Sequence, residues 1–443
     1  MIDAKLVWFS ILSLAVAGLT ACASDLALIW DGGAQFCFTL YHGEPYSYAA
    51  RFFTLILWKP VIWAAHWTRN LATLRFLYGL PLCLAPAVSA TLAWWMVKRT
   101  RPDLFPWALL GISAASIPVQ CFVINESIFQ LNMFWPVFLG MLVPLDRARA
   151  LVIACLLVFQ FSHPQGLLLL SAVAAGLALL GNRRRNDDWS VFRKRALWMA
   201  ATALVCLLKI VVFPDPEAAH QANPLEVLIL FWQGLAGWPL AGWLFLVAAV
   251  WCSRELERKW LASVLLVAAA CACWWWAADP VCWAKALDAR RFVPFLAAPF
   301  FFGAWFAVKR ESRWRIPAGP LWRCATAAAV IFSATLGLQA FGWHRLRARL
   351  LTQLEADPRV AIPVEDFSWM RGGPGDHWGL GAQVIASLGG RKLVLDQAGR
   401  AAIGREPPLV ALGYDAWIAE TPGVLGWFDF RETIRKARLE AHP

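Results

Sequence analysis

The sequence alternates between apolar runs of roughly 20 residues and short polar connections, and this pattern constrains the fold more than any other feature. A helix of about 20 residues crosses the roughly 30 Å hydrocarbon core of a bilayer. The chain is 60% hydrophobic and 16% charged, against about 25% charged in soluble domains. The pattern therefore predicts an all-α polytopic membrane protein. It excludes a disordered chain, a disulfide-rich secreted scaffold and an ordinary cytosolic enzyme.

Hydropathy over windows of about 19 residues predicts about eleven transmembrane helices. They lie at 6–23, 76–97, 104–124, 128–145, 150–161, 166–180, 196–213, 225–250, 260–278, 292–308 and 324–343. Every second connection is basic, and with Lys5 these connections hold 20 Lys and Arg residues, whereas the alternate connections hold seven. The positive-inside rule then predicts a cytoplasmic N-terminus. Because the net charge of +12 is explained as a topology signal, we expect a multi-pass protein of a bacterial inner membrane and no nucleic-acid partner.

An odd number of spans predicts that the C-terminal part lies on the periplasmic side. We expect a transmembrane domain at residues 1–343 and a small periplasmic α/β cap domain at 344–443. The α/β fold of the cap domain is predicted from strand-like runs at 359–364, 392–396 and 409–412 and a helix-like run at 380–388.

Two alternatives concern cysteines near the outer side. Leu19-Thr20-Ala21-Cys22 is similar to a lipobox, so the first span could instead be a cleaved or lipidated leader. Cys37 and Cys282 both fall on the outer side, where disulfides can form. The sequence does not decide whether these two cysteines form one.

The first outer loop, residues 24–75, is longer than a plain connector requires. It opens with Trp30-Asp31-Gly32-Gly33 and ends in an amphipathic stretch at 51–75. We expect one or two helices there, lying in the membrane interface. The expected apolar face holds Phe52, Phe53, Trp58, Trp63 and Trp67, and the polar face holds Arg51, Lys59, His66 and Arg69.

Other polar residues gather at the outer ends of later spans. Asn125-Glu126-Ser127 connects the third and fourth spans, and His163-Pro164-Gln165 connects two spans that are too short to cross a bilayer unaided. A chain break at membrane depth is tolerated only where protein or a water-filled cavity covers it. His163 and Gln165 are therefore expected to line a cavity that opens to the outer face.

Three cations depart from the positive-inside trend. Lys209 lies near the outer end of its span, and Arg290 and Arg291 begin another span on that side. Cations kept in such positions are candidates for binding an anionic headgroup or a phosphate.

The layout resembles the GT-C superfamily of membrane glycosyltransferases, which take sugars from polyprenyl-phosphate donors on the outer side. The likeness lies in the acidic residue Asp31 after the first span, the polar turns at outer helix ends and the extracytoplasmic C-terminal region. The segment 125–132, followed by His163-Pro164-Gln165, is similar to a pattern of the polyprenyl-phosphate-mannose-dependent mannosyltransferases. Glu126 replaces a glycine of that pattern, and His163 replaces a lysine.

The resemblance implies roles for these residues. Asp31 would be the general base that takes the acceptor proton, with Glu126 and His163 assisting at the acceptor hydroxyl. The lipid-phosphate leaving group would be stabilised by cations, and further substrate contacts are expected nearby. The substrate-binding candidates are Arg51, Lys209, Arg290, Arg291, Trp30, Asn125 and Gln165. The acceptor would be a glycan, a lipid or a protein. Some members of the superfamily use a divalent cation (Mg, Mn or Ca), which Asp31 and Glu126 would hold here.

Each candidate also has a structural interpretation. Asp31 suits a turn or a helix cap, Glu126 suits an N-cap, and Lys209 can reach lipid headgroups without a specific role. His163 before a proline can satisfy a freed carbonyl. Two other function classes stay open for the chain: a transporter or flippase of a lipid-linked or amphipathic solute, and a non-catalytic membrane subunit.

Overall fold

The structure is a computed structural model, and the residues that it describes are mostly helical (86%). It describes residues 4–29, 31–45, 53–117, 126–144, 149–162, 166–182, 188–212, 238–255, 258–278, 293–309, 316–370, 377–395, 409–411, 417–419, 425, 427–428 and 430–441.

The first half of the described chain contains eleven α-helices. They are α1 (Ala4–Ala23), α2 (Asp31–His42), α3 (Phe53–Leu57), α4 (Lys59–Trp67), α5 (Leu71–Cys83), α6 (Ala85–Val97), α7 (Phe105–Ser113), α8 (Glu126–Leu142), α9 (Arg149–Ser162), α10 (Gly166–Asn182) and α11 (Asp188–Val212). The later helices are α12 (Trp238–Cys252), α13 (Lys259–Ala278), α14 (Val293–Lys309), α15 (Ala318–Ala356), α16 (His377–Leu388) and α17 (Arg431–Ala441). Four short strands follow α15: β1 (Ala361–Pro363), β2 (Leu393–Leu395), β3 (Leu409–Ala411) and β4 (Trp417–Ala419).

Within the described residues, four helical segments are long and apolar enough to cross a membrane. They are Ala4–Ala23, Leu71–Val97, Ser190–Val212 and Ala318–Ala356. The shorter apolar helices are Ile128–Leu142, Arg149–Gln160, Gly166–Leu180, Leu240–Cys252, Lys259–Trp275 and Phe295–Lys309. Parts of the predicted spans, 118–124 and 225–237, lie outside the described residues. The membrane character of the chain is therefore supported, and the number of eleven spans stays a prediction.

Helices α1 and α15 run in the same direction, side by side. Near their starts, the Ser10 hydroxyl lies 3.3 Å from the Thr326 hydroxyl. Beyond the end of α1, Asp25 pairs with Arg347 of α15. Because the two contacts occur in the same order along both helices, the loop that follows α1 and the segment that follows α15 lie at the same end of the bundle.

Helix α15 is longer than the predicted span at its C-terminal end. Its 39 residues run from Ala318 to Ala356 without a break, so residue 343, the predicted domain boundary, lies inside the helix. The drop in hydropathy after Trp343 reflects departure from the apolar bundle, and helix formation does not require an apolar sequence.

In the segment after α15, β1, β2 and β3 lie within the three predicted strand-like runs, whereas β4 was not predicted. β1 and β2 pair in parallel, with Ala361 opposite Leu393, and α16 connects them. Gly389 ends α16 in the left-handed region (φ 65°), with its N–H donating to the Ile385 carbonyl, a usual role for glycine. β3 and β4 pair antiparallel. A separate α/β domain at 344–443 stays a prediction.

The predicted interfacial stretch forms α3 and α4, but its tryptophans do not share one face. Trp58 is fully buried and stacks on Tyr78 with ring centroids 5.0 Å apart. Trp63 and Trp67 are 64% and 91% exposed. The expected single apolar face is wrong because Trp58 lies in the turn before α4 and packs inward. Residues 71–75 belong to the long apolar segment Leu71–Val97.

Candidate functional site

The predicted site residues are described to different extents. Lys209 is described in full. Asp31 and Glu126 are placed by their backbone, as the first residues of α2 and α8, and their side chains are not described. The others lie outside the described residues: Trp30, Arg51, Asn125, His163, Gln165, Arg290 and Arg291.

The start of α2 lies in close contact with two neighbouring segments. A Cβ atom on Gly32 would lie 1.9 Å from the Ala27 carbonyl oxygen, so only glycine allows this approach. A Cβ atom on Gly33 would lie 3.3 Å from the Gln383 backbone nitrogen in α16. The two glycines after Asp31 therefore let α2 begin directly against the turn that follows α1 and against the C-terminal segment.

Cys37, on the same helix, is a free thiol. It is fully buried and its S–H donates to the Ala382 carbonyl of α16 at 3.6 Å. Burial raises the pKa of the Cys37 thiol well above its ordinary value, against a smaller lowering by Arg75. Cys282 lies outside the described residues, so a disulfide between the two cysteines stays open.

Lys209 of α11 reaches the predicted break between α9 and α10. Its Nζ donates to the Gln160 carbonyl at 2.9 Å, and the residue is only 8% exposed. Gln160 belongs to the last turn of α9, where carbonyl oxygens have no partner within the helix. A cation there suits the negative end of the helix dipole. Lys209 therefore points into the bundle at the break and does not extend toward lipid headgroups.

Gln130 of α8 also contacts the end of α9. Its Nε2 donates to the Phe159 carbonyl at 2.7 Å. A Cβ atom on Gly166, the first residue of α10, would lie 2.5 Å from this nitrogen. We call Gln130, Gln160, Gly166 and Lys209 the break cluster. His163 and Gln165 lie between its members in sequence, outside the described residues.

The break cluster lies close to the start of α8, since Gln130 is the fifth residue of that helix. The Ser89 hydroxyl of α6 donates to the Asn132 carbonyl of α8, and a Cβ atom on Gly140 would lie 3.4 Å from the Met96 sulfur. Helices α6 and α8 therefore run in parallel toward the basic connection at 98–101. About 15 Å of helix separates Gln130 from Gly140 at ~1.5 Å per residue.

An ion cluster that sequence reasoning missed lies at the end of α1. Asp25 and its two partners have side chains only 9–14% exposed. Its Oδ2 accepts from Arg75 Nε at 3.0 Å and pairs with Arg347 Nη1 at 2.9 Å. Asp25 also adopts a left-handed backbone conformation (φ 60°). We call Asp25, Arg75 and Arg347 the Asp25 cluster. The one sign of it in the sequence is that Asp25 is the first acidic residue after the first span.

The Asp25 cluster connects α1, α5 and α15 to the last turn of α16. Arg75 Nη1 donates to the Ala386 carbonyl at 3.1 Å, and Arg347 Nη2 donates to the Ser387 hydroxyl at 3.0 Å. Burial lowers the pKa of Arg347, and the charge of Asp25 opposes this. Since Asp25 is engaged by two guanidinium groups, it is unsuited to act as a base.

Metal ligation was predicted only through Asp31 and Glu126, whose side chains are not described. Within the described residues, no group of three or more His, Cys, Asp or Glu side chains is arranged to hold a metal ion. The predicted divalent cation stays a prediction.

Searches of protein-family models, curated proteins and solved structures find no match for this chain. Its function is therefore inferred from the residues and their geometry.

Proposed function

We propose that this chain is a membrane glycosyltransferase of the GT-C type, transferring a sugar from a polyprenyl-phosphate donor to a glycan, lipid or protein acceptor. In this proposal the N-terminus is cytoplasmic, the membrane is a bacterial inner membrane, and the reaction takes place at the periplasmic end that holds α2 and α16. The observation that carries it is the buried ammonium group of Lys209 at the break between α9 and α10.

A buried lysine within an apolar bundle is costly and points to function by default. A transferase with a lipid-phosphate donor needs such a cation, because negative charge grows on the phosphate as the sugar leaves. Charge stabilisation is strong where water is excluded, and Lys209 is only 8% exposed. The break also holds the Gln130 amide, a second polar group suited to a phosphate or sugar hydroxyl.

The proton acceptor in this proposal is Asp31. It begins α2 next to the C-terminal segment, whereas the nearby Asp25 is held by two arginines. In the reaction, an acceptor hydroxyl gives its proton to the Asp31 carboxylate, and its oxygen forms a bond to C1 of the sugar. The bond from C1 to the phosphate oxygen breaks, and its electron pair leaves with the lipid phosphate. The configuration at C1 is inverted.

The test is sugar transfer by the full-length chain in proteoliposomes, with a radiolabelled polyprenyl-phosphate sugar as the probe. Removing one group that stabilises transition-state charge costs about 10²–10³-fold in rate. We expect this loss for Lys209→Met. Lys194→Met is the matched control, because Lys194 lies on the same helix with an exposed side chain. Asp31→Asn is expected to abolish transfer; equal activity of the Lys209 and Lys194 variants would contradict the proposal.

A transporter or flippase is the second candidate, favoured by the discontinuous helix pair α9–α10, since such pairs form transport sites at mid-membrane. The same vesicles distinguish the two. Movement of a fluorescent polyprenyl phosphate across the bilayer without sugar transfer would favour transport. The absence of both activities would favour a non-catalytic subunit.

A further inference from the structure

Helices α1 and α5 pack against each other through a reciprocal arrangement of two glycines and two cysteines. A Cβ atom on Gly18 of α1 would lie 2.4 Å from the Cys83 carbonyl oxygen of α5. One turn later in α1 and one turn earlier in α5, a Cβ atom on Gly79 would lie 3.4 Å from the Cys22 sulfur. The two helices therefore run antiparallel here, and the small residues let them approach closely.

The two cysteines meet where these helices pack. Cys22 and Cys83 are free thiols in the structure, and each is only 1% exposed. Their sulfur atoms lie 3.4 and 3.9 Å from one point, the position of a Cβ atom on Gly79, and the two thiols are in hydrogen-bonding contact. The Cys22 thiol also donates to the Phe76 carbonyl at 3.0 Å. Two sulfur atoms from separate helices are therefore held next to each other.

The position of the pair favours oxidation. Cys22 lies one residue before the end of α1, and Asp25 follows three residues later in the turn that leads to α2. The pair is therefore near the end of the bundle that holds α2 and α16, which the proposed orientation places on the periplasmic side. Disulfides form and persist in the bacterial periplasm. Cysteine also packs as a small hydrophobe, but such packing does not require two thiols to contact each other.

We propose that Cys22 and Cys83 form a disulfide in the protein as the cell produces it. The oxidant is a disulfide-bonded protein of the periplasm. One cysteine thiolate attacks a sulfur of that disulfide, and the second cysteine then displaces the oxidant from the mixed disulfide. One sulfur–sulfur bond forms and one breaks, and the oxidant leaves as a dithiol with the two electrons and two protons of the cysteine pair. This inference rests on the orientation given under the proposed function and not on the proposed reaction.

Burial determines when the bond forms and what it does. Because both thiols are 1% exposed in the packed helices, the oxidant reaches them before α1 and α5 pack, and the bond is then protected from reductants. The ring that it closes, residues 22–83, contains α2, α3 and α4. Such a cross-link restricts the unfolded chain. The disulfide therefore holds the start of α2, where Asp31 lies, to the bundle independently of the Asp25 cluster.

Sequential labelling of the full-length chain tests the disulfide. Cells are quenched in acid, and the denatured protein is treated with N-ethylmaleimide, then reduced, treated with iodoacetamide and mapped by mass spectrometry. We expect iodoacetamide on Cys22 and Cys83, on the order of tenfold more than on control cysteines, because structural disulfides resist reduction. Cys155 and Cys324 are the matched controls, since both are free thiols and 3% exposed. A sample that is never reduced should contain the two peptides joined through Cys22 and Cys83.

A variant checks that the two cysteines are partners. Cys83→Ala should leave the Cys22 thiol free, so that Cys22 takes up N-ethylmaleimide. Cys155→Ala is its control and should leave Cys22 protected until reduction. These results together support the proposal, and the labelling of the unsubstituted chain does not depend on how well the variants fold.

Maleimide on Cys22 and Cys83 to the same extent as on the control cysteines would overturn the proposal. Cys22 that stays protected in Cys83→Ala would also overturn it, because another group would then hold its sulfur. A lipid attached to Cys22, with loss of residues 1–21, would assign this cysteine to a lipidated leader instead. Sugar transfer is measured separately, so the absence of the disulfide and the absence of transferase activity are distinguishable results.

Discussion

Asp25→Asn is expected to loosen the attachment of the C-terminal segment to the bundle. The substitution is nearly isosteric, and asparagine tolerates the left-handed conformation (φ 60°) that Asp25 adopts. It therefore removes the charge without adding backbone strain. Arg75 and Arg347 then remain as two buried cations that no longer share a carboxylate oxygen.

The size of the effect follows from burial. Removing one partner of a buried ion pair costs about 3–5 kcal/mol, because the remaining charge is left without compensation. Here the three side chains are 9–14% exposed, so screening by water is weak. The Ala386 carbonyl and the Ser387 hydroxyl retain their arginine donors, which favours the lower end of the range. A loss of about 3 kcal/mol is a factor of about 150 in the local opening equilibrium.

Hydrogen exchange measured by mass spectrometry checks this value on peptides of α2 and α16. We expect their amides to exchange on the order of 10²-fold faster in Asp25→Asn. Glu432→Gln is the control: Glu432 pairs with Arg435, both about 60% exposed, and exposed pairs of this kind contribute little to stability. Exchange in Asp25→Asn no faster than in the control would refute the view that the Asp25 cluster holds these helices together.

Three further outcomes are expected. Cys37, buried and with a raised thiol pKa, should resist maleimide in the folded protein and become modified on unfolding, as peptide mapping would show; rapid labelling would contradict its burial. Gly111→Ala should lower the free energy of unfolding by about 1–3 kcal/mol, because its Cβ would lie 1.7 Å from the Trp135 ring. Gly337→Ala should cause no such loss, because its Cβ would meet nothing within 4 Å; thermal unfolding of both variants checks this. Gly389→Ala should destabilise the end of α16 by about 1 kcal/mol, since alanine is strained at φ 65°, with faster exchange at this helix as the readout.

The break between α9 and α10 shows which features local sequence can predict. Two apolar runs, 150–161 and 166–180, predicted two short helices with a polar junction, and the structure has helices at Arg149–Ser162 and Gly166–Asn182. Lys209 was singled out because it opposes the charge bias. Its position at the end of α9 was not predicted, because the Gln160 carbonyl is 49 residues away in sequence.

The Asp25 cluster and Trp58 show where sequence reasoning failed. Asp25 pairs with residues 50 and 322 positions away, and no local pattern marks such partners. Trp58 belonged to an amphipathic stretch, and its packing on Tyr78 depends on how α4 meets α5.

The sequence by itself determined the apolar segments that are able to cross a membrane, the helical class and most helix positions, because hydropathy and helix propensity are properties of short segments. Tertiary structure decided which polar groups meet: Lys209 with the end of α9, and Asp25 with two arginines from distant helices. It also brought the Cys22 and Cys83 thiols of two helices into contact. The physical reason is that the energy of a buried charge or donor depends on its partners, and only packing brings partners from separate helices together.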